Sequence, residues 1–263
     1  METRKIIVPM LCILIGGIAQ DVSADQGENG RAKSLTLGVG GQYSPRYSGS
    51  DQGSLQIKPV IQAQYGVLFF DSLKGIGYHL QNDTGLYFEH SLGVNSGRSD
   101  RDSNWREGSD KLKGMGKIDP SINTTLAAGW AVRPWLLLEG AATLPLSESQ
   151  GGQYRTTLTV IPFQSSNDTL AVQSAALFGD ARYMNRFYGV NREQSVRAGY
   201  SRFDAEGGFY GVDSSLTWEH QFTPHWGTSL TVGYTWLGDR AADSPIVYRR
   251  NQTSGIMAVN YTF

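Results

Sequence analysis

The stretch Asn251-Gln-Thr-Ser-Gly-Ile-Met-Ala-Val-Asn-Tyr-Thr-Phe263 decides the fold. Read back from Phe263, every second residue is apolar or small (Tyr261, Val259, Met257, Gly255), while Thr262, Asn260, Ala258 and Ser254 take the opposite side. Successive side chains of a strand point to opposite faces, so this is a strand with one apolar face and an aromatic end. Terminal strands of bacterial outer-membrane barrels have this form, with the alternation turning one face to lipid. Phe263, Tyr261, Val259 and Met257 are therefore the expected signal for barrel assembly.

Trp226 to Leu237 repeats the pattern with more contrast. Trp226, Thr228, Leu230, Val232, Tyr234 and Trp236 alternate with Gly227, Ser229, Thr231, Gly233, Thr235 and Leu237. Ten residues at ~3.3 Å each make ~33 Å of strand, which a tilt of ~40° reduces to ~25 Å across the membrane, the height of an apolar band between aromatic girdles. Trp130, Trp218, Trp226 and Trp236 are the expected girdle residues.

Working outward, apolar faces recur on Leu35–Tyr43, Leu55–Tyr65, Leu126–Val132 and Leu136–Leu146, and on Tyr210, Val212, Ser214, Leu216, Trp218, His220 and Phe222. Barrels of this class keep short turns in the periplasm and long loops outside. That rule puts external loops at Ser44–Gly53, Ser96–Lys117, Ser147–Gly152, Met184–Glu206 and Gly238–Asn251. Periplasmic turns fall near Gly66, Gln81–Thr84, Arg133, Pro162–Asp168 and Thr223. The expected architecture is an all-β, antiparallel up-and-down transmembrane barrel of about twelve strands. Twelve requires splitting Val67–Leu80 at Leu73-Lys74-Gly75; without the split the count is ten.

The other end of the chain fits export. Residues 1–24 carry a basic start (Arg4, Lys5), an apolar run from Ile6 to Ile18 and the small-residue site Val22-Ser23-Ala24, as a cleaved signal peptide does. A short polar periplasmic tail, 25–33, then leads into a barrel over 34–263. The single cysteine, Cys12, leaves with the leader, so disulfides and thiol chemistry are not expected. A mean hydropathy of −0.32 hides the membrane character, because each strand spends only half its side chains on lipid. A net charge of −1 offers no basic surface for nucleic acid.

Candidate chemistry is sparse. In Glu89-His90-Ser91, alternation sends Glu89 and Ser91 inward and His90 outward, which spoils a catalytic triad. His220 and His225 read as interfacial rings with no completed metal shell. No catalytic residue, cofactor or metal is expected, and the chain is read as a non-enzyme. Glu89, Glu139, Asp213 and Glu219 face the lumen by the same alternation, with Arg155 as their counter-charge. Rings of such acids give pores a cation preference, and mutual pairing inside a filled barrel is the plainer reading. The loop 96–117 alternates charges and reads as solvated surface, with inward folding or divalent bridging to lipopolysaccharide as the other readings. The aromatics Tyr183, Phe187, Tyr188, Tyr200 and Phe203 point to a loop packed across the barrel mouth.

Several motifs resemble the MipA/OmpV family of MltA-interacting outer-membrane proteins. They are Leu237-Gly-Asp-Arg-Ala-Ala-Asp-Ser-Pro-Ile-Val247, Arg182-Tyr-Met-Asn185 with Tyr188-Gly-Val190 and Gln194-Ser195, Tyr47-Ser-Gly-Ser-Asp51, Phe69-Phe70, Gly75-Ile-Gly-Tyr78 and Leu112–Pro120. The resemblance implies an outer-membrane barrel and a scaffold linking a murein transglycosylase to a murein synthase. It supplies no residue-level partner motif. Further expected partners are outer-membrane lipid, lipopolysaccharide and the barrel assembly machinery. The alternative is a narrow, mildly cation-preferring, porin-like channel for small solutes.

Overall fold

The computed structural model describes residues 33–147 and 150–263; the signal peptide and nearly all of the 25–33 tail lie outside them. Twelve antiparallel strands close a barrel. They are β1 (Lys33–Pro45), β2 (Gly53–Tyr65), β3 (Leu68–Asp71), β4 (Gly75–Gln81), β5 (Leu86–Asn95), β8 (Ser121–Arg133), β9 (Leu136–Pro145), β10 (Gln153–Gln164), β11 (Asp168–Gly179), β12 (Gly208–Gln221), β13 (Trp226–Leu237) and β14 (Asn251–Thr262). Two short strands, β6 (Arg98–Ser99) and β7 (Glu107–Gly108), pair in the loop between β5 and β8. The barrel closes where β14 meets β1, with Tyr261 opposite Leu37 and Val259 opposite Val39.

Alternation gives the wall its two faces. Leu35, Leu37, Val39, Trp130, Trp218, Leu230, Val232 and Met257 are exposed on the outside, whereas Thr36, Thr157, Thr159, Thr217, Ser229 and Thr231 are buried within. Strand pairing satisfies the backbone polar groups along most of the wall, which is what allows a sheet to cross lipid. The expected split of Val67–Leu80 occurs where Asp71 ends β3. Its Oδ1 accepts from the backbone N–H of Leu73 (2.7 Å) and Lys74 (2.9 Å), and its Oδ2 from Gln62 Nε2 (2.8 Å). Gly75 then takes φ +91° to start β4, a conformation that glycine adopts without strain.

The boundaries depart from the sequence reading in several places. Lys33, assigned to the tail, opens β1. Pro162 lies inside β10 at a register shift between Val160 and Phe163; a bulge tolerates the missing N–H, so the turn begins only after Gln164. Strand β11 stops at Gly179, and the segment expected to continue to Tyr183 turns helical. Asp180 caps α1 (Ala181–Phe187), and Asn191 and Gln194 form a capping box on α2 (Arg192–Ala198). Such side-chain caps satisfy N–H groups that a helix start leaves open. A third helix, α3 (Asp239–Ala242), precedes β14. Tyr210, placed on the outer face by alternation, points inward: a bulge between Leu177 and Phe178 shifts the register at Phe209–Gly211 and buries it.

Candidate functional site

The barrel's two ends differ. Turns between strands are short where Gly66, Asn82–Gly85, Pro134–Trp135, Ser165–Asn167 and Thr223–His225 lie, and long at the other end. The long connections fold into a lid. One apolar cluster joins Met184 and Tyr188 of the α1 region to Ala205, Tyr210, Leu237 and Ala241. A second joins Tyr47, Leu112, Met115, Val190 and Ile246. Each side chain of the size of Leu or Met contributes about 1.5–3 kcal/mol when removed from water, so the lid has a core of its own.

Polar contacts tie the loops together. Tyr47 Oη donates to the Ile246 carbonyl at 2.9 Å and Ser244 Oγ to the Tyr188 carbonyl at 2.5 Å. Tyr200 Oη donates to the Lys111 carbonyl at 2.6 Å, and Gln194 Nε2 to the Met115 carbonyl at 2.8 Å. Lys111 Nζ donates to both oxygens of Asp51, at 2.8 and 2.7 Å. The loop 96–117, read as solvated surface, is therefore part of the lid. Arg98 is only 3% exposed and donates from Nη1 to the Phe187 carbonyl at 2.6 Å. Charge alternation along this loop misled because its apolar members, Leu112 and Met115, supply the buried side. A cavity of 520 Å³ at the lid surface is lined by Arg98, Lys117, Arg182, Arg186 and Asp204 among others.

Beneath the lid, a polar cavity of 320 Å³ occupies the barrel interior, lined by Lys74, Tyr87, Glu89, Glu139, Arg155 and a belt of hydroxyl-bearing side chains. It brings together three of the expected lumen residues, Glu89, Glu139 and Arg155. Asp213 lies apart, accepting from Thr235 Oγ1 at 2.6 Å, and Glu219 stands in register with Thr169 and Ser229. Arg155 is not the counter-charge expected. Glu89 pairs with Lys74 Nζ at 2.8 Å and has His79 Nδ1 at 3.4 Å, while Glu139 accepts from Tyr87 Oη at 2.8 Å. Arg155 forms no ion pair or hydrogen bond with a described residue, and its Nε is buried without a partner. Lys74 escaped notice because it sits in a turn; Tyr87 was legible, since it shares the parity of Glu89.

The remaining expected residues occupy the wall. His90 faces outward with Nε2 2.8 Å from Thr124 Oγ1. Trp130, Trp218 and Trp226 ring the short-turn end, and Trp236 the other, where the Arg250 guanidinium lies over its ring. His220 stacks on Trp218 with Nδ1 2.8 Å from Asp168 Oδ1. Tyr261 packs edge-on against both Trp226 and Phe263.

The family model for the MltA-interacting protein MipA matches residues 37–263. This chain belongs to the MipA family. As in other outer-membrane barrels, its strands cross the outer membrane, and by the loop-length rule the lid lies outside and the short turns in the periplasm. No curated protein matches the sequence. Among solved structures, the chain is similar to the NanC porin, with 11% identity, a TM-score of 0.47 and coverage of 86% of this chain and 98% of that one. It is also similar to the COG4313 outer membrane channel from Pseudomonas putida F1, with 12% identity, a TM-score of 0.49 and coverage of 88% and 95%.

Proposed function

We propose that this MipA-family barrel is a non-enzymatic docking platform, holding a murein transglycosylase and, through it, a murein synthase against the inner face of the outer membrane. The observation that carries the reading is the lid: two packed clusters span the external mouth, so a solute crossing from outside would have to displace a folded core. The family description, an MltA-interacting protein, supports the same reading. Docking then falls to the periplasmic rim. One short turn offers little of the ~800 Å² per partner that a stable interface uses, so a partner would span several turns at once. Outer-membrane lipid, lipopolysaccharide and the barrel assembly machinery complete the proposed partners, the last reading the Phe263 end.

The test is direct binding of a purified murein transglycosylase to the barrel in nanodiscs, with Asn82–Gly85 and Ser165–Asn167 replaced together by glycine-serine turns. Binding that weakens with the rim and not with lid variants is expected; binding indifferent to the rim would contradict the reading. A second reading, a narrow channel for small solutes, is favoured by the polar interior cavity. Its described lining holds two acids, Glu89 and Glu139, and two cations, Lys74 and Arg155, so any cation preference would rest on Asp213 and Glu219.

A further inference from the structure

The barrel wall is incomplete in its outer half. Strands β3 and β4 are four and seven residues long beside a thirteen-residue β2. Pairing of β2 with β3 covers only Gln62–Tyr65, and Ser72 bonds Ile61 through both its N–H and its Oγ. Above that point β2 has β1 on one side and no described strand on the other. On the far side, β5 runs on past Gly75, the first residue of β4, through Val94 and Asn95. Three strand spacings of ~4.8 Å separate β2 from β5, leaving a gap of about 14 Å above the hairpin.

The gap lies in the apolar band. Ile57 is eight residues above Tyr65 and Val94 eight above Leu86, which puts both about 20 Å from the short-turn end of a ~25 Å band. The strand side chains flanking the gap are correspondingly bare: Leu55, Ile57 and Val94 are 73%, 78% and 71% exposed. Because Ile61 turns its N–H and carbonyl to Ser72, Ile57 and Leu55 turn theirs the same way, into the gap. Pro59 stands between Ile57 and Ile61, with no N–H to leave unpaired and with its carbonyl accepting from Ser72 Oγ at 3.3 Å, a common guard on an open edge. Bare peptide groups do not persist in hydrocarbon, so this edge meets water or a polar headgroup.

The gap opens onto the interior cavity, whose lining includes Leu73, Lys74, Gly93 and Val94 at the gap and Arg155 across the lumen. Two lumen-facing cations lack an ion-pair partner among the described residues: Arg155, and Lys58 on the β2 edge. We propose that this opening takes the head of a single-chain anionic amphiphile from the outer leaflet, the head lying in the gap on Lys58 and the open β2 peptide groups and facing Arg155 across the cavity, with its acyl chain in the bilayer outside. The lid covers the mouth above, and the gap gives the cavity a route to the membrane. This site is independent of partner docking at the periplasmic rim.

The test uses the mature barrel in phosphatidylcholine nanodiscs, with binding read by native mass spectrometry. The probes are dodecyl phosphate, dodecanol and glycerol phosphate. Saturable binding of dodecyl phosphate is expected, weakened at least about tenfold by Arg155→Gln with Lys58→Gln and retained by Arg155→Lys. A maleimide-polyethylene glycol on Ile57→Cys should block it, and the same label on Leu230→Cys should not. Gel mobility before and after heating confirms that each variant is folded. Equal binding of dodecanol would overturn the role of the cations. Equal binding of glycerol phosphate, or binding unaffected by the Ile57 label, would overturn the lateral route, and no saturable binding would overturn the site.

Discussion

Ser244 Oγ donates to the Tyr188 carbonyl at 2.5 Å, joining the connection before β14 to the end of α1, with both residues buried. Ser244 belongs to the Ala242-Asp-Ser-Pro245 motif that marks the family resemblance, and its structural work is to lock one lid loop onto another.

Ser244→Ala leaves the Tyr188 carbonyl buried without its donor, at a cost of about 1–3 kcal/mol. Amide exchange should rise across α1, α3 and residues 188–206, with the protection of β12 and β13 unchanged. Loss of protection throughout the barrel would show that lid and wall are one cooperative unit.

Gly75→Ala should disrupt the β3–β4 hairpin. At φ +91° a side chain is strained, by about 1–3 kcal/mol for a non-glycine residue, and its Cβ would meet the Leu92 carbonyl. A lower melting temperature and faster proteolysis between Asp71 and Gln81 are expected. The parallel change Gly41→Ala has open space around the Cβ and should be nearly silent.

The lid's response to pH follows from its phenols and its ion pairs. Burial raises Tyr47, Tyr183 and Tyr188 above the ordinary phenol range. A raised folded value means their stabilising contribution is whole below the unfolded value of ~10 and is lost as pH climbs through the folded one. Asp51 runs the other way. The hydrogen bond from Lys111 holds its carboxyl below the ordinary range, so its contribution is present above ~4 and fades as pH falls through the lowered value. The lid should therefore stay closed from about pH 5 to 9. Tyrosinate absorbance should lag that of free tyrosine above pH 10 and then appear together with lid exchange. Opening between pH 5 and 8 would contradict these assignments.

If the lid is the seal, replacing residues 181–206 with a short glycine-serine linker should raise conductance in planar bilayers well above that of the intact chain. Glu89→Gln with Glu139→Gln should alter ion selectivity only in the lidless form. Equal conductance with and without the lid would favour the channel reading.

The wall was legible because period-two alternation is a local property of strands meeting lipid on one side and water on the other. Even the split at Leu73-Lys74-Gly75 could be read, since the hairpin is made by its own residues, Asp71 and Gly75. The lid was legible only in part: the aromatics Tyr183, Phe187, Tyr188, Tyr200 and Phe203 pointed to a loop packed across the mouth, as it is, but not to what they pack on. Its buried residues, Tyr47, Leu112, Met184, Val190 and Ile246, come from connections far apart in sequence and share no period. Tyr210 failed for a related reason: a bulge adds one residue and reverses parity beyond it. Alternation placed Glu89, Glu139 and Arg155 on one face but could not pair them, because a turn residue, Lys74, reached Glu89 first.

The measurement that bears most directly on the docking account is cross-linked co-purification from native outer membranes, with the tagged barrel as bait and an unrelated barrel of similar size as control. Specific recovery of a murein transglycosylase or synthase, lost when the periplasmic turns are replaced and kept in Ser244→Ala, is the predicted result. Recovery of only lipopolysaccharide and assembly factors would contradict it.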